Sequence, residues 1–207
     1  MEEKTLTEKE SIAIITEMIT RTKERYVGDG NILLMWGYLV VAVSLVITVL
    51  LVATHNQVWN WLWFLIWIVG GTLTPRMAKK QREKNGVKTY SDNIISSIWS
   101  AVGLSAIAAT FACLGFMLFA AADCWRMMLM FALIIVPFAE IAQGIVLKER
   151  CFITGGAIGL AAGILTGCCI AGGIPLAVVW FMPLFIVAFT AMMIVPGHII
   201  NYKAKHS

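Results

Sequence analysis

The chain has 207 residues, 59% of them hydrophobic and 14% charged, with a formal net charge of +4 and a mean hydropathy of +0.82. It is too apolar for an ordinary soluble domain, and its long apolar runs place it with membrane proteins. The five cysteines are odd in number and lack Cys-x-x-Cys spacing, so they define no disulfide framework or redox motif.

Residues 1–30 are expected to be a cytoplasmic segment with one amphipathic helix. Thr7 and Glu10 have capping-box spacing. Ile12, Ile15, Ile19, Thr22 and Tyr26 then recur at three- and four-residue steps, while Glu17, Arg21 and Glu24 fall on the opposite face. Residues 8–26 hold four acids and four bases. Binders of anionic membranes carry a basic excess, so this balance favours contact with protein. The candidate partner-binding face is Ile12, Ile15, Ile19 and Tyr26. Its simplest occupant is the chain's own membrane domain, then a separate cytoplasmic protein, then lipid. Gly28 and Gly30 should break the helix.

Six apolar runs follow within 31–200, at 32–53, 58–73, 94–120, 127–147, 152–172 and 175–196. A bilayer core about 30 Å thick needs roughly 20 apolar residues per helix, which the second run barely supplies. Backbone in lipid must satisfy its own hydrogen bonds, and the runs lack the alternation of a transmembrane barrel, so they predict helices. The first run is not a cleaved signal: a long charged segment precedes it and it lacks a small-residue cleavage site. The connections at 54–57, 121–126 and 173–174 are short, so consecutive helices should pack as three antiparallel hairpins. The fold class is all-α: six transmembrane helices, an N-terminal amphipathic helix, and a cytoplasmic tail at 201–207.

The loop at 76–88 has six bases and one acid, Glu83. This suits anionic lipid headgroups. It lacks a nucleic-acid-reading fold, so no nucleic-acid partner is expected. Trp59, Trp61, Trp63, Trp125 and Trp180 cluster at one interface, with Trp36 and Trp99 near the other, as aromatic belts do.

Glu140 is the one acid well inside a run, between Pro137 and Gln143. A central carboxyl costs about 2.5–3.5 kcal/mol to insert, so it should face the bundle interior, where desolvation favours its neutral form. Ser105 and Thr110 of the third run lie at similar depth and are its expected hydrogen-bond partners. Glu140, Gln143, Ser105 and Thr110 thus form an intramembrane polar candidate, either a proton or cation site or a structural clasp. Gly155, Gly159, Gly163 and Gly167 repeat every four residues in the fifth run and predict a close helix-packing stripe, within the chain or in an oligomer. Pro183 should kink the sixth helix. His198 is too shallow to reach Glu140 and suits an interfacial anchor. Cys124 maps near the same face as Cys168 and Cys169, so a bridge there is conceivable. No metal-ligand spacing, G-x-S-x-G, H-E-x-x-H or P-loop occurs, so no enzyme, metal site or cofactor is expected. Pro137 has no counterpart in the first run, unlike the matched broken helices of inverted-repeat transporters.

Lys9-Glu10-Ser11, Met35-Trp36-Gly37-Tyr38 and the segment from Pro196-Gly197-His198 through Asn201-Tyr202-Lys203 give the chain its likeness to known sequences. On these it resembles a family of small bacterial inner-membrane proteins with no known activity, and the resemblance implies no functional residue. The expectation is an integral protein of a bacterial cytoplasmic membrane acting as a non-enzymatic interaction or regulatory component. The alternative is a small-molecule or ion transporter using Glu140. A membrane-embedded enzyme comes third.

Of the 16 Lys and Arg residues, fifteen fall on one side of the six runs and Arg126 alone on the other. The positive-inside rule then puts both termini in the cytoplasm. Reporter fusions after Ser207 and within 54–57 should report opposite sides; the same side for both would contradict the six-run map.

Overall fold

The computed structural model describes residues 7, 9, 12–14, 16, 30–85, 90–121 and 124–206. Its regular elements are helical, with no strand among the described residues. Helix α1 spans Asn31–Thr54, α2 Phe64–Asn85, α3 Tyr90–Ala120, α4 Trp125–Leu147 and α5 Arg150–Ala171. Helix α6 runs over Val178–His206 and contains a π-helical turn at Thr190–Ile194. Near the N-terminus Lys9, Ile12, Ala13, Ile14 and Thr16 are helical and exposed. Ile15, Ile19 and Tyr26 of the expected partner face, and Glu10 of the capping pair, lie outside the described residues.

Five helices, α1, α3, α4, α5 and α6, are long and apolar enough to cross a membrane, which marks a multi-pass membrane protein. The second apolar run behaves differently. His55 takes a left-handed conformation (φ 53°), and its N–H caps Leu51 O at 3.0 Å, ending α1. Asn56 Oδ1 then accepts the Val58 N–H at 3.0 Å and starts a 3-10 segment, Gln57–Trp63. The α-helix begins only at Phe64 and carries Pro75 inside it. It continues through Arg76, Lys79 and Lys80, because the Ala-Lys-Lys-Gln stretch is made of good helix formers. Its basic half keeps α2 out of the apolar five.

The helices pack in the order α2, α1, α6, α5, α4, α3. Helices α1 and α2, α3 and α4, and α5 and α6 do pack on each other. The most extensive seam, however, joins α4 to α5, and α6 also packs on α1. These two seams cross the boundaries of the expected hairpins. The reason for the first is a tight turn: Lys148 is left-handed (φ 56°), and Glu149 N–H returns to Gly144 O at 2.9 Å. Helix α3 lies outermost beyond α4. Its Leu104, Phe111 and Phe119 are 71%, 69% and 92% exposed, a surface suited to lipid rather than water.

Glycine sets the closest approaches. Along α5 a four-residue step turns the helix by about 400°, so the stripe rotates about 40° per glycine. Gly155 therefore faces α6, where an added Cβ would lie 2.8 Å from Ala191 O. Gly159 faces both neighbours, with Met192 Sδ at 2.6 Å and Pro137 Cγ at 2.8 Å from such an atom. Gly163 faces α4, where the Cβ would collide with Leu133 O, and Gly167 meets Met130 Sδ at 3.1 Å. Gly156, about 100° from Gly155, also faces α4, 2.7 Å from Pro137 O. Across α6, Gly37 of α1 takes up the π turn, with Ile194 Cγ1 at 2.8 Å and Met193 Cβ at 3.0 Å from its added Cβ.

Gly163→Ala should lower the thermal midpoint in detergent, because a backbone oxygen cannot yield to the new methyl; overpacking of this kind costs about 1–3 kcal/mol. Gly103 on α3 has nothing within 4 Å of an added Cβ. Gly103→Ala should be neutral or stabilising, since alanine is the better helix former. Equal midpoints for the two variants would contradict this packing.

Candidate functional site

Glu140 sits on α4 between two different edges of that helix. At about 100° per residue it is about 60° from Pro137, which packs on α5, and about 60° on the other side from Gln143. Gln143 Oε1 accepts the Trp99 indole N–H of α3 at 2.6 Å. Glu140 therefore points into the bundle between its α5 and α3 neighbours, and it has no exposed surface.

Both Glu140 carboxyl oxygens are buried and have no hydrogen-bond partner. This corrects the expected clasp. Thr110 Oγ1 donates instead to Ala106 O of its own helix at 2.8 Å. Ser105 is half-buried and does not reach the carboxyl either. Ser44 and Thr166, the other two fully buried polar side chains among the described residues, are satisfied locally by Val40 O at 2.7 Å and Ala162 O at 2.8 Å. A short hydroxyl in an apolar helix gains most by bonding its own i−4 carbonyl, which leaves nothing to offer across the bundle.

The surroundings are rich in disturbed backbone. Pro137 has no N–H for Leu133 O, and that carbonyl is the one Gly163 meets. In the π turn Val195 N–H bonds Thr190 O, and Pro196, next in that register, has no N–H for Ala191 O. Ala191 O is the carbonyl that Gly155 meets. Two prolines thus each withdraw a donor, and each of these carbonyls lies where a side chain on an α5 glycine would have to be. The π turn has no signature in apolar periodicity. Pro196 was the visible cue, since π bulges accompany locally interrupted ladders and often mark functional sites.

The remaining sequence candidates lie elsewhere. His198 Nε2 pairs with Tyr38 Oη of α1 at 2.7 Å, on the exposed side. At the same end Asn201 Nδ2 donates to Asn31 Oδ1 at 2.9 Å, and Lys203 Nζ pairs with Glu149 at 2.6 Å. Pro183 lies inside α6, and Arg76, Lys79 and Lys80 are exposed. No cysteine among the described residues is in a disulfide: Cys168 is exposed, Cys169 buried, and Cys113 Sγ meets Cys124 O at 3.5 Å. Trp36, unassigned beyond the aromatic belt, inserts against Gly70 and donates to Thr74 Oγ1 at 2.9 Å, joining α1 to α2. Two apolar grooves, one between α1 and the 3-10 segment with α2, the other between α5 and α6, open on the bundle surface away from Glu140. No group of three His, Cys, Asp or Glu among the described residues could hold a metal.

No protein-family model, curated protein or solved structure matches this chain. Its chemistry is therefore argued from its own residues. A carboxyl in dry surroundings can be held neutral at modest cost, whereas an unpaired carboxylate there costs far more.

Proposed function

We propose that this chain is a six-span protein of a bacterial cytoplasmic membrane, with both termini on the cytoplasmic side, and that it transports a small ion or solute through the carboxyl of Glu140. The observation that carries the reading is the fully buried carboxyl with both oxygens unpartnered. An ionisable group is costly at such depth, and one that makes no structural bond is best explained by work it does. Its position supports the same reading. It lies beside Pro137, and the α5 glycines link that region to the π turn of α6.

The sixth span is supplied by the 3-10 segment and the apolar part of α2. Gln57 to Pro75 would cover about 32 Å at the rises of the two helix types, enough for a bilayer core. The exposed Arg76, Lys79 and Lys80 then meet anionic headgroups on the basic side. A second reading is a non-enzymatic interaction or regulatory component. It is favoured by the charge balance of residues 8–26 in the sequence and by the exposure of Ile12, 64%.

In proteoliposomes with an entrapped pH dye, sodium, potassium and chloride gradients are imposed in turn. At least one should drive a luminal pH change that Glu140→Gln abolishes while keeping the wild-type thermal midpoint. A response of equal size in Glu140→Gln would contradict the transport reading, and retention of a specific protein partner through residues 1–26 would then favour the second.

A further inference from the structure

Taking Glu140 as the working group, we infer that the cation it binds is a proton, and that releasing this proton admits water along the glycine-lined seam between α4 and α5. The argument is one of ligand supply. Sodium or calcium needs several oxygen ligands converging on one point. Neither Glu140 oxygen has a hydrogen-bond partner, so no hydroxyl or amide is gathered on the carboxyl. The carbonyls freed nearby are already covered: Leu133 O by Gly163, Ala191 O by Gly155, and Pro137 O lies against Gly156. A proton is the one cation that a lone carboxyl binds without help.

The charged and titratable groups on the packed helices make no bond to the carboxyl. The Trp99–Gln143 bond sets the register of α3. It puts Asp92 and Cys113 about 15 Å from the Glu140 level, on opposite sides. Gly156 sets the register of α5. Arg150 and Cys151 then lie about 8 Å towards the basic end, with Arg150 exposed, and Cys168 about 18 Å the other way. His198 of α6 is engaged with Tyr38. Ionisation therefore has no internal counter-charge and must be met by water. The α4–α5 seam is the entry closest to the carboxyl, because Pro137, one turn from Glu140, packs directly on Gly159 of α5.

The test uses the full chain in lipid nanodiscs. Infrared difference spectra on a pH titration should show a protonated-carboxyl band that bleaches in one step, is absent in Glu140→Gln, and keeps its midpoint when sodium or calcium replaces choline. Amide hydrogen exchange at 133–144 and 155–163 should be faster in the wild type above that midpoint than in Glu140→Gln at the same pH, which removes the intrinsic pH dependence of exchange. Glu140→Gln mimics the neutral acid, so it should fold. A band absent at every pH, a midpoint that falls as sodium or calcium is added, or equal exchange in the two proteins would overturn the inference. An intact titration and opening without any Glu140-dependent dye signal would remove the transport reading and leave this one standing. A metal-shifted midpoint would do the reverse.

Discussion

Helix α5 meets its neighbours backbone to backbone, and the rest of the bundle is arranged around that contact. Between helices in lipid there is no hydrophobic drive, so association rests on close van der Waals packing and on satisfying polar groups. Prolines in α4 and α6 remove the donors for two carbonyls in the middle of the seam. Gly163 and Gly155 bring their own backbone onto those carbonyls, which any side chain would prevent. The same glycines let α4 and α6 lie close to α5 on both sides. Helix α1 is then held through Gly37 against the π turn, with α2 and α3 at the two ends of the row.

Glu140 takes its environment from this arrangement. Hydroxyls such as Ser44, Thr110 and Thr166 are consumed by their own helices. The carboxyl one turn beyond Pro137 is thus left buried and unbonded. Ionising such a group without a partner is costly. The Trp99–Gln143 bond holds α3 beside it without touching it. The bonds of Tyr38 with His198, Asn31 with Asn201 and Glu149 with Lys203 tie α1, α6 and the α4–α5 turn together at one end.

Much of this order is legible in the sequence, for identifiable reasons. Long apolar runs leave helices as the solution for backbone in lipid, so α1, α3, α4, α5 and most of α6 could be read off within a few residues. The second run could not, because Asn56 captures the Val58 amide and starts a 3-10 segment that apolar content does not reveal. The glycine spacing is plain in the chain. How it divides between two neighbours follows from the drift of a four-residue repeat on a 3.6-residue helix, and Gly156, outside the repeat, completes the α4 face. A lone acid inside an apolar run is equally visible. Its lack of partners is not, since residue depth cannot show that Thr110 has turned back to Ala106. The π turn leaves the apolar pattern unchanged, because it alters only which carbonyl a residue bonds, and Pro196 is its one cue in the sequence.

The central contact can be tested by a double-mutant cycle on thermal or denaturant stability in detergent. Pro137→Ala restores a donor for Leu133 O and should tilt that carbonyl back along α4, away from α5. Gly163→Ala should therefore cost less in the Pro137→Ala background than in the wild type, with a coupling of roughly 0.5–3 kcal/mol, the range for directly interacting residues. Strictly additive effects would contradict the account, because they would mean that the carbonyl freed by Pro137 is not what Gly163 accommodates.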